Sequence, residues 1–292
     1  MEKEETDLFK NILKIFFKVK KSVENVFAGE YRSVFKGTGI EFEEVREYVP
    51  GDDIRNIDWK VTARYGKPYI QKFVEERELT LLILLDLSPS LNFGSQKTKK
   101  EMAAQITALL AWSAIVNNDR VGMLIFSDVI EEYVKPRKDR HQILKLIREV
   151  LAYRVKGKGT DLGKALKYAY NMTKKRAVIF VVSDFLEPGY EKPLKILSKK
   201  HDVIPVVITD PWENHEEFPR LQYDIIFKDS ESGKSFFLPK NKVKQVREKL
   251  RKLNRRRSKN FKKMKLDYVE LFTNRPYFKD LFSYFKRRFK KR

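Results

Sequence analysis

Residues 79–90, LTLLILLDLSPS, decide the fold. Leu79 to Leu85 is a near-continuous apolar run, as required of a strand covered by helices on both faces, where no position looks onto water. The run stops at Asp86-Leu87-Ser88-Pro89-Ser90, which sets one carboxylate and two hydroxyls at the strand's C-terminal end. In open α/β sheets, ligands bind outside the C-terminal ends of strands.

Working outward, strands alternate with helices. Thr98 and Glu101 have the T-x-x-E spacing of a capping box, which predicts a helix from about Lys99 to Val116. Val121–Phe126 reads as an apolar strand, Val129–Val134 as an edge strand and Arg140–Leu151 as a helix. A Gly157–Asp161 loop leads to a helix over Leu162–Asn171, and a strand over Ala177–Val182 ends at Ser183-Asp184-Phe185. A helix over Glu191–Lys199 and a strand over Val203–Ile208 follow. This order predicts an α/β fold, a mostly parallel sheet with helices on both faces, spanning residues 79–212. Residues 1–78 form an N-terminal segment. Within it, Leu8, Ile12, Phe16, Val19 and Val23 mark an amphipathic helix over 7–27, docked on the domain or lying on a membrane surface. The remainder of that segment reads as short strands and turns. Residues 213–292 form an extension on the same body: short strands near 223–228 and 235–238, a basic helix over 240–260, a strand within Leu266–Phe272 joining the same sheet, and a helix from about Pro276.

The chain has 292 residues, 42% hydrophobic, with a formal charge of +22. That much apolar material excludes wholesale disorder. Cysteine is absent, which excludes disulfides, thiolate metal sites and a Cys nucleophile. The three His (His141, His201, His215) never pair as H-x-x-x-H, which disfavours a zinc hydrolase. The charge is local. Residues 240–265 hold 14 Lys/Arg against Glu248 alone, and Lys286–Arg292 add six more cations, so +19 of the +22 lies in two C-terminal stretches. Val243, Val246, Leu250 and Leu253 put one apolar stripe on that basic helix. A solvated helix docked on the core is one reading. A surface for nucleic acid, anionic lipid or an acidic protein is the other. No aromatic residue falls in Arg247–Lys259, so base stacking has no support there. No apolar run of 18 residues or more exists, and the start is too charged for a signal peptide. The expected location is the cytoplasm, free or peripheral at the membrane.

Asp86, Ser88, Ser90, Thr160 in the loop before a helix, and Asp184 after a strand supply two carboxylates and three hydroxyls. A small hard cation such as Mg²⁺ takes an octahedral shell of such oxygens. Taken singly, each residue could be a helix cap or a loop acid. Together, in order and at strand ends, they resemble the metal-ion-dependent adhesion site of von Willebrand factor A-like domains. The resemblance implies that Ser88, Ser90 and Thr160 contact Mg²⁺ (or another divalent cation such as Mn²⁺), that Asp86 and Asp184 act often through water, and that an open position awaits a partner's acidic side chain. Pro89 removes one backbone donor from this loop.

A second stretch runs from Gly37-Thr38-Gly39-Ile40-Glu41-Phe42 through Arg46-Glu47-Tyr48-Val49-Pro50-Gly51-Asp52-Asp53 to Arg55, Asp58-Trp59 and Ala63-Arg64. It resembles the signature of the prokaryotic domain of unknown function 58, in a soluble short form that covers nearly the whole chain. That family implies an adaptor role beside a MoxR-type AAA+ ATPase, in chaperone-like maturation or remodelling of proteins. Arg46, Asp52, Arg55, Asp58, Trp59 and Arg64 serve either as structural salt bridges or as a partner-facing surface.

Enzymatic readings fare worse. Gly233-Lys234-Ser235 resembles the end of a phosphate-binding loop, but the pattern needs Gly where Lys228 stands. No His is placed in motif form as a base for a serine nucleophile. A Mg²⁺-activated water would need a general base that is not evident. Glu213, Glu216 and Glu217 around His215 read as an exposed acidic loop. The expectation is a binding module and not an enzyme.

Overall fold

A computed structural model describes residues 10, 12–17, 19–20, 41–74, 79–214, 216, 224–228 and 235–290. Leu8, Val23, the Gly37–Ile40 start of the signature, Gly233-Lys234, His215 and Glu217 lie outside the described residues. The chain divides into two compact units, residues 35–79 and the remainder.

In the larger unit β3 (Thr80–Asp86) is central, between β4 (Arg120–Phe126) and β6 (Val178–Ser183). β7 (Asp202–Thr209) and β10 (Val269–Phe272) extend the sheet beyond β6, and β5 (Ile130–Arg137) closes the other edge. All neighbours run parallel except β5, which lies antiparallel to β4. Leu81 to Leu85 are buried to within 1% of complete, which is why no polar residue interrupts them. The chain leaves β3 toward β4 and later returns to β6 on the opposite side. The order therefore reverses between β3 and β6, the switch point at whose C-terminal ends ligands bind in open α/β sheets. Gly122 in β4 faces β5 where a Cβ would stand 2.7 Å from the Val134 carbonyl and the Pro136 nitrogen, so the bulge between these strands needs glycine.

The principal core helix, α2 (Lys99–Val116), begins at Thr98, and both halves of its capping box form. Thr98→Ala is expected to cost about 1 kcal/mol in urea unfolding, with no change in the denaturant slope. The helices α3 (Arg140–Ala152), α4 (Leu162–Met172) and α5 (Glu191–Lys200) match the expected segments to within two residues. The N-terminal helical residues sit on α2: Ile12 and Val19 are buried, and the Phe16 ring meets Trp112 edge-on at 4.9 Å. The described residues of that helix are therefore docked on α2.

The C-terminal helices are α6 (Val243–Lys263) and α7 (Tyr277–Lys290). The apolar stripe of Val243, Val246, Leu250 and Leu253 does not itself anchor α6. The first three are only half-buried and Leu253 is 41% exposed. The anchors lie later, at Arg257 and Phe261. Phe261 is fully buried among the rings of Phe185, Tyr190 and Tyr268.

In the smaller unit β1 (Glu41–Glu47) pairs antiparallel with β2 (Tyr69–Val74), with an irregularity between Phe42 and Glu44. Between them lies a short helix not foreseen in the sequence, α1 (Trp59–Tyr65). Asp58 caps its start, and Gly66 ends it in the left-handed conformation at φ 69°.

Candidate metal centre

The strand order places the β3 and β6 ends side by side, and their polar residues meet there. Asp86 is fully buried. One of its oxygens accepts from the Ser88 amide at 2.9 Å, the other from the Ser183 hydroxyl at 2.7 Å. The Ser88 and Ser90 hydroxyls are 3.0 Å apart, and Ser90 donates to Asp184 Oδ2 at 3.1 Å. Phe185, at φ 54°, turns the chain sharply after Asp184, and its amide donates to Ser183 Oγ at 3.1 Å.

Four of the five expected ligands are thus joined by this network. Thr160 stands on the adjoining loop. That loop is tied to the end of β4 by the Asp161 amide on the Ser127 carbonyl (2.9 Å) and by the Lys158 amide on Asp128 (3.1 Å). Glu131 gathers the same loop, accepting from the Ser127 hydroxyl at 2.6 Å and the Gly157 amide at 2.9 Å. A Cβ on Gly157 would fall 2.0 Å from Ser127 Oγ and 1.9 Å from Asp128 Oδ1. Gly157→Ala is therefore expected to shift this loop and weaken divalent-cation binding about tenfold, read by titration calorimetry, with little loss of secondary structure by circular dichroism.

One principal participant was not foreseen. Lys99, the first residue of α2, is fully buried, and its ammonium bridges Asp184 Oδ2 at 2.8 Å and Glu213 Oε1 at 2.6 Å. Glu213 is therefore an ion-paired, mostly buried residue, which corrects the reading of an exposed acidic loop at that position. Its turn is held by Asp210, itself fully buried, which accepts from the Ser95 amide at 2.8 Å and the Trp212 amide at 3.0 Å. Arg257 of α6 donates to the Asp184 carbonyl at 2.9 Å and pairs with Glu270 of β10.

The electrostatics follow from this placement. Burial, then the charge of Asp184, pushes Asp86 up to about 6. Burial acts on Asp184 too, but the Lys99 ammonium overcomes it and holds that carboxyl below its ordinary value. Lys99 is likewise disfavoured by burial, yet Asp184 and Glu213 raise its pKa. Asp184 and Glu213 thus share one ammonium while Asp86 has no cation against it, and the balance suits a dication. The donor set, carboxylates with hydroxyls, fits a hard cation. It is not a cage of charged ligands, and among the described residues no group of three or more His, Asp or Glu could hold a metal.

The signature residues are used differently. Within the smaller unit Arg46 pairs with Asp52 at 2.7 Å, and Asp52 caps the Val49 turn at 2.9 Å. Asp53 pairs with Arg55 at 3.1 Å. Asp58 accepts from the Lys60 and Val61 amides and from Gln71. Arg64 is exposed, and Trp59 is 71% exposed. These acids thus cap the turns and helix start of the smaller unit, and Trp59 is largely exposed.

The sheet order and the D-x-S-x-S loop at its switch point make an α/β domain that resembles the von Willebrand factor A-like class. The chain belongs to the family described as Protein of unknown function DUF58, whose family model matches residues 44–260. The uncharacterized protein Rv1480 of Mycobacterium tuberculosis is 30% identical over 219 residues, 74% of this chain and 68% of that protein. Among solved structures, the conserved hypothetical protein BatB from Bacteroides thetaiotaomicron is similar over 73% of this chain and 99% of its own, at 19% identity and a TM-score of 0.47. Proximal thread matrix protein 1 of the mussel byssus, with a zinc-occupied MIDAS motif, is similar over 45% of this chain and 38% of its own, at 18% identity and a TM-score of 0.36.

Proposed function

We propose that the chain is a divalent-metal-dependent protein-recognition module. The observation that carries this reading is the meeting of Asp86, Ser88, Ser90 and Asp184, two buried carboxylates and two hydroxyls, at the switch point of the sheet. Ser88, Ser90 and Thr160 would hold the ion directly, with Asp86 and Asp184 supplying charge through water. Mg²⁺ is the expected ion, with Mn²⁺ as the alternative. When bound, it offers a Lewis-acidic position to an oxygen ligand, and a partner's Asp or Glu gains there a contact that a neutral residue lacks. The chain's own residues prepare that contact. Ser183 orients Asp86, Lys99 keeps Asp184 ionised, and Glu131 and Gly157 shape the loop of Thr160.

This is a binding module and not an enzyme. Around the centre, Asp86, Asp184 and Glu213 are engaged with Ser183, Lys99 and the Asp210 turn, an arrangement that holds charge in place. The family resemblance supports a MoxR-type AAA+ ATPase or its client as the partner, with the chain as its adaptor in the cytoplasm, free or at the membrane periphery. No helix among the described residues is long and apolar enough to cross a membrane.

The test is affinity capture from the source cell with wild type and Asp86→Ala, in Mg²⁺ and in EDTA, with the retained proteins identified. Retention of the ATPase by wild type in Mg²⁺ alone is expected. If nothing is retained in a metal-dependent way, the adaptor reading fails. Calorimetry of the purified chain with Mg²⁺ then shows whether metal binding fails with it.

A further inference from the structure

Ahead of Arg257, which braces Asp184, the basic C-terminal segment carries exposed apolar side chains. The hairpin of β8 (Ile225–Lys228) and β9 (Ser235–Leu238) precedes α6. Its base is pinned to the turn that opens α6 by the Lys240 amide, which donates to Asp224 at 2.8 Å. Ile225 pairs with Leu238, and Ile226 with Phe237. Alternation therefore puts these two pairs on opposite faces. Leu238 is buried, whereas Ile226 is 71% and Phe237 63% exposed. The hairpin thus turns one apolar pair inward and offers the other to solvent, with Phe236 also more than half exposed.

The first part of α6, which follows the hairpin, carries a half-open apolar stripe of its own. Its anchors are Arg257 and Phe261, so the turns before them carry the half-covered stripe of Val246, Leu250 and Leu253. Nine Lys/Arg and only Glu248 lie between residues 240 and 256. An apolar face bordered by cations, on a helix about 30 Å long, is what an interfacial helix presents to a bilayer.

We propose that the outward pair Ile226/Phe237 and the first half of α6 together dock on an anionic lipid surface. The side chains select this partner over nucleic acid. Phosphate backbones reward the cations, and bases reward aromatic stacking, but neither uses the aliphatic Ile226, Val246, Leu250 and Leu253. A bilayer interface rewards both, burying the aliphatic and Phe side chains below the headgroups while Lys and Arg reach the phosphates.

The experiment is co-sedimentation of the full chain with vesicles of phosphatidylcholine alone and of phosphatidylcholine mixed with phosphatidylserine, with a duplex DNA titration at the same salt. Two double variants accompany wild type: Ile226→Ser with Phe237→Ser, which leaves the charge intact, and Lys244→Glu with Arg251→Glu, which leaves the apolar pair intact. All four positions are exposed, so both variants should melt near wild type. Wild type should bind the phosphatidylserine vesicles in preference to phosphatidylcholine, and each variant should bind them roughly tenfold or more weakly. Binding should be indifferent to EDTA, which separates it from the metal-dependent reading. Unchanged vesicle binding by the Ile226/Phe237 variant would overturn the proposal. So would tighter binding of wild type to duplex DNA than to the anionic vesicles.

Discussion

Lys99→Met is expected to lower the stability of the metal-free chain by about 3–5 kcal/mol at neutral pH, the cost of breaking a buried ion pair from one side. The ammonium lies 2.8 Å from Asp184 and 2.6 Å from Glu213, and it is fully buried itself. Removing it leaves two carboxylates with no cation in a site where Asp86 already lacks one. An exposed pair would cost under about 1 kcal/mol, so urea unfolding distinguishes the cases, and a cost that small would remove Lys99 from its assigned role. Two controls sharpen the measurement. The deficit should shrink in acid, because Asp184 and Glu213 then take up protons and the missing cation no longer matters. Converting all three residues together, as Lys99→Met with Asp184→Asn and Glu213→Gln, should recover part of the loss, because a neutral cluster of similar volume is cheaper to bury than an unpaired charge.

The same residue marks where sequence reading ends. The central strand is legible because burial on both faces leaves nothing but apolar side chains in Leu81–Leu85. The loop after it is legible because Asp86, Ser88 and Ser90 are neighbours in the chain. Asp184 is legible because it follows a second strand of the same kind. Lys99 carries no such mark. A lysine at the first position of a helix reads as solvated, and its partners lie 85 and 114 residues away. A buried polar residue is defined by its partners, and no local pattern names them. Glu213 and Arg257 are hidden for the same reason. The short α1 escaped because seven residues are too few for a helical period, and its only signals are the cap at Asp58 and the stop at Gly66. The stripe on α6 shows a different limit. Spacing reveals that a helix has an apolar face but not that something covers it, and half of this one is left open.

Asp86→Asn is expected to abolish Mg²⁺ binding and yet to stabilise the metal-free chain near pH 7. Both effects come from one displaced titration. Burial and the charge of Asp184 raise Asp86 from 3.8 to about 6. The metal-free native state therefore holds its proton more tightly than the unfolded chain does. This group contributes stability below about pH 4, and that contribution is lost as pH rises through about 6, a change of about 3 kcal/mol. Asn carries no charge to bury, so the variant does not follow that decline. His201 bends the curve the other way. Its burial, then Lys200 and Arg176, lower it from 6.5 to about 4, so its contribution is present above 6.5 and lost as pH falls through about 4. The Asp86 effect is therefore read as the difference between wild type and variant, in which the His201 slope cancels. With chelator present, the variant's melting temperature should exceed wild type's at pH 7 and converge on it near pH 4. With saturating Mg²⁺ the order should reverse at pH 7, because the ion stabilises only the chain that binds it. Below about pH 6, wild-type affinity for Mg²⁺ should fall by about tenfold per unit as the proton competes for Asp86. Parallel melting curves for the two proteins in chelator at all pH values would show that Asp86 is not held in this unfavourable charged state, and the case for a cation at this site would lose its electrostatic basis.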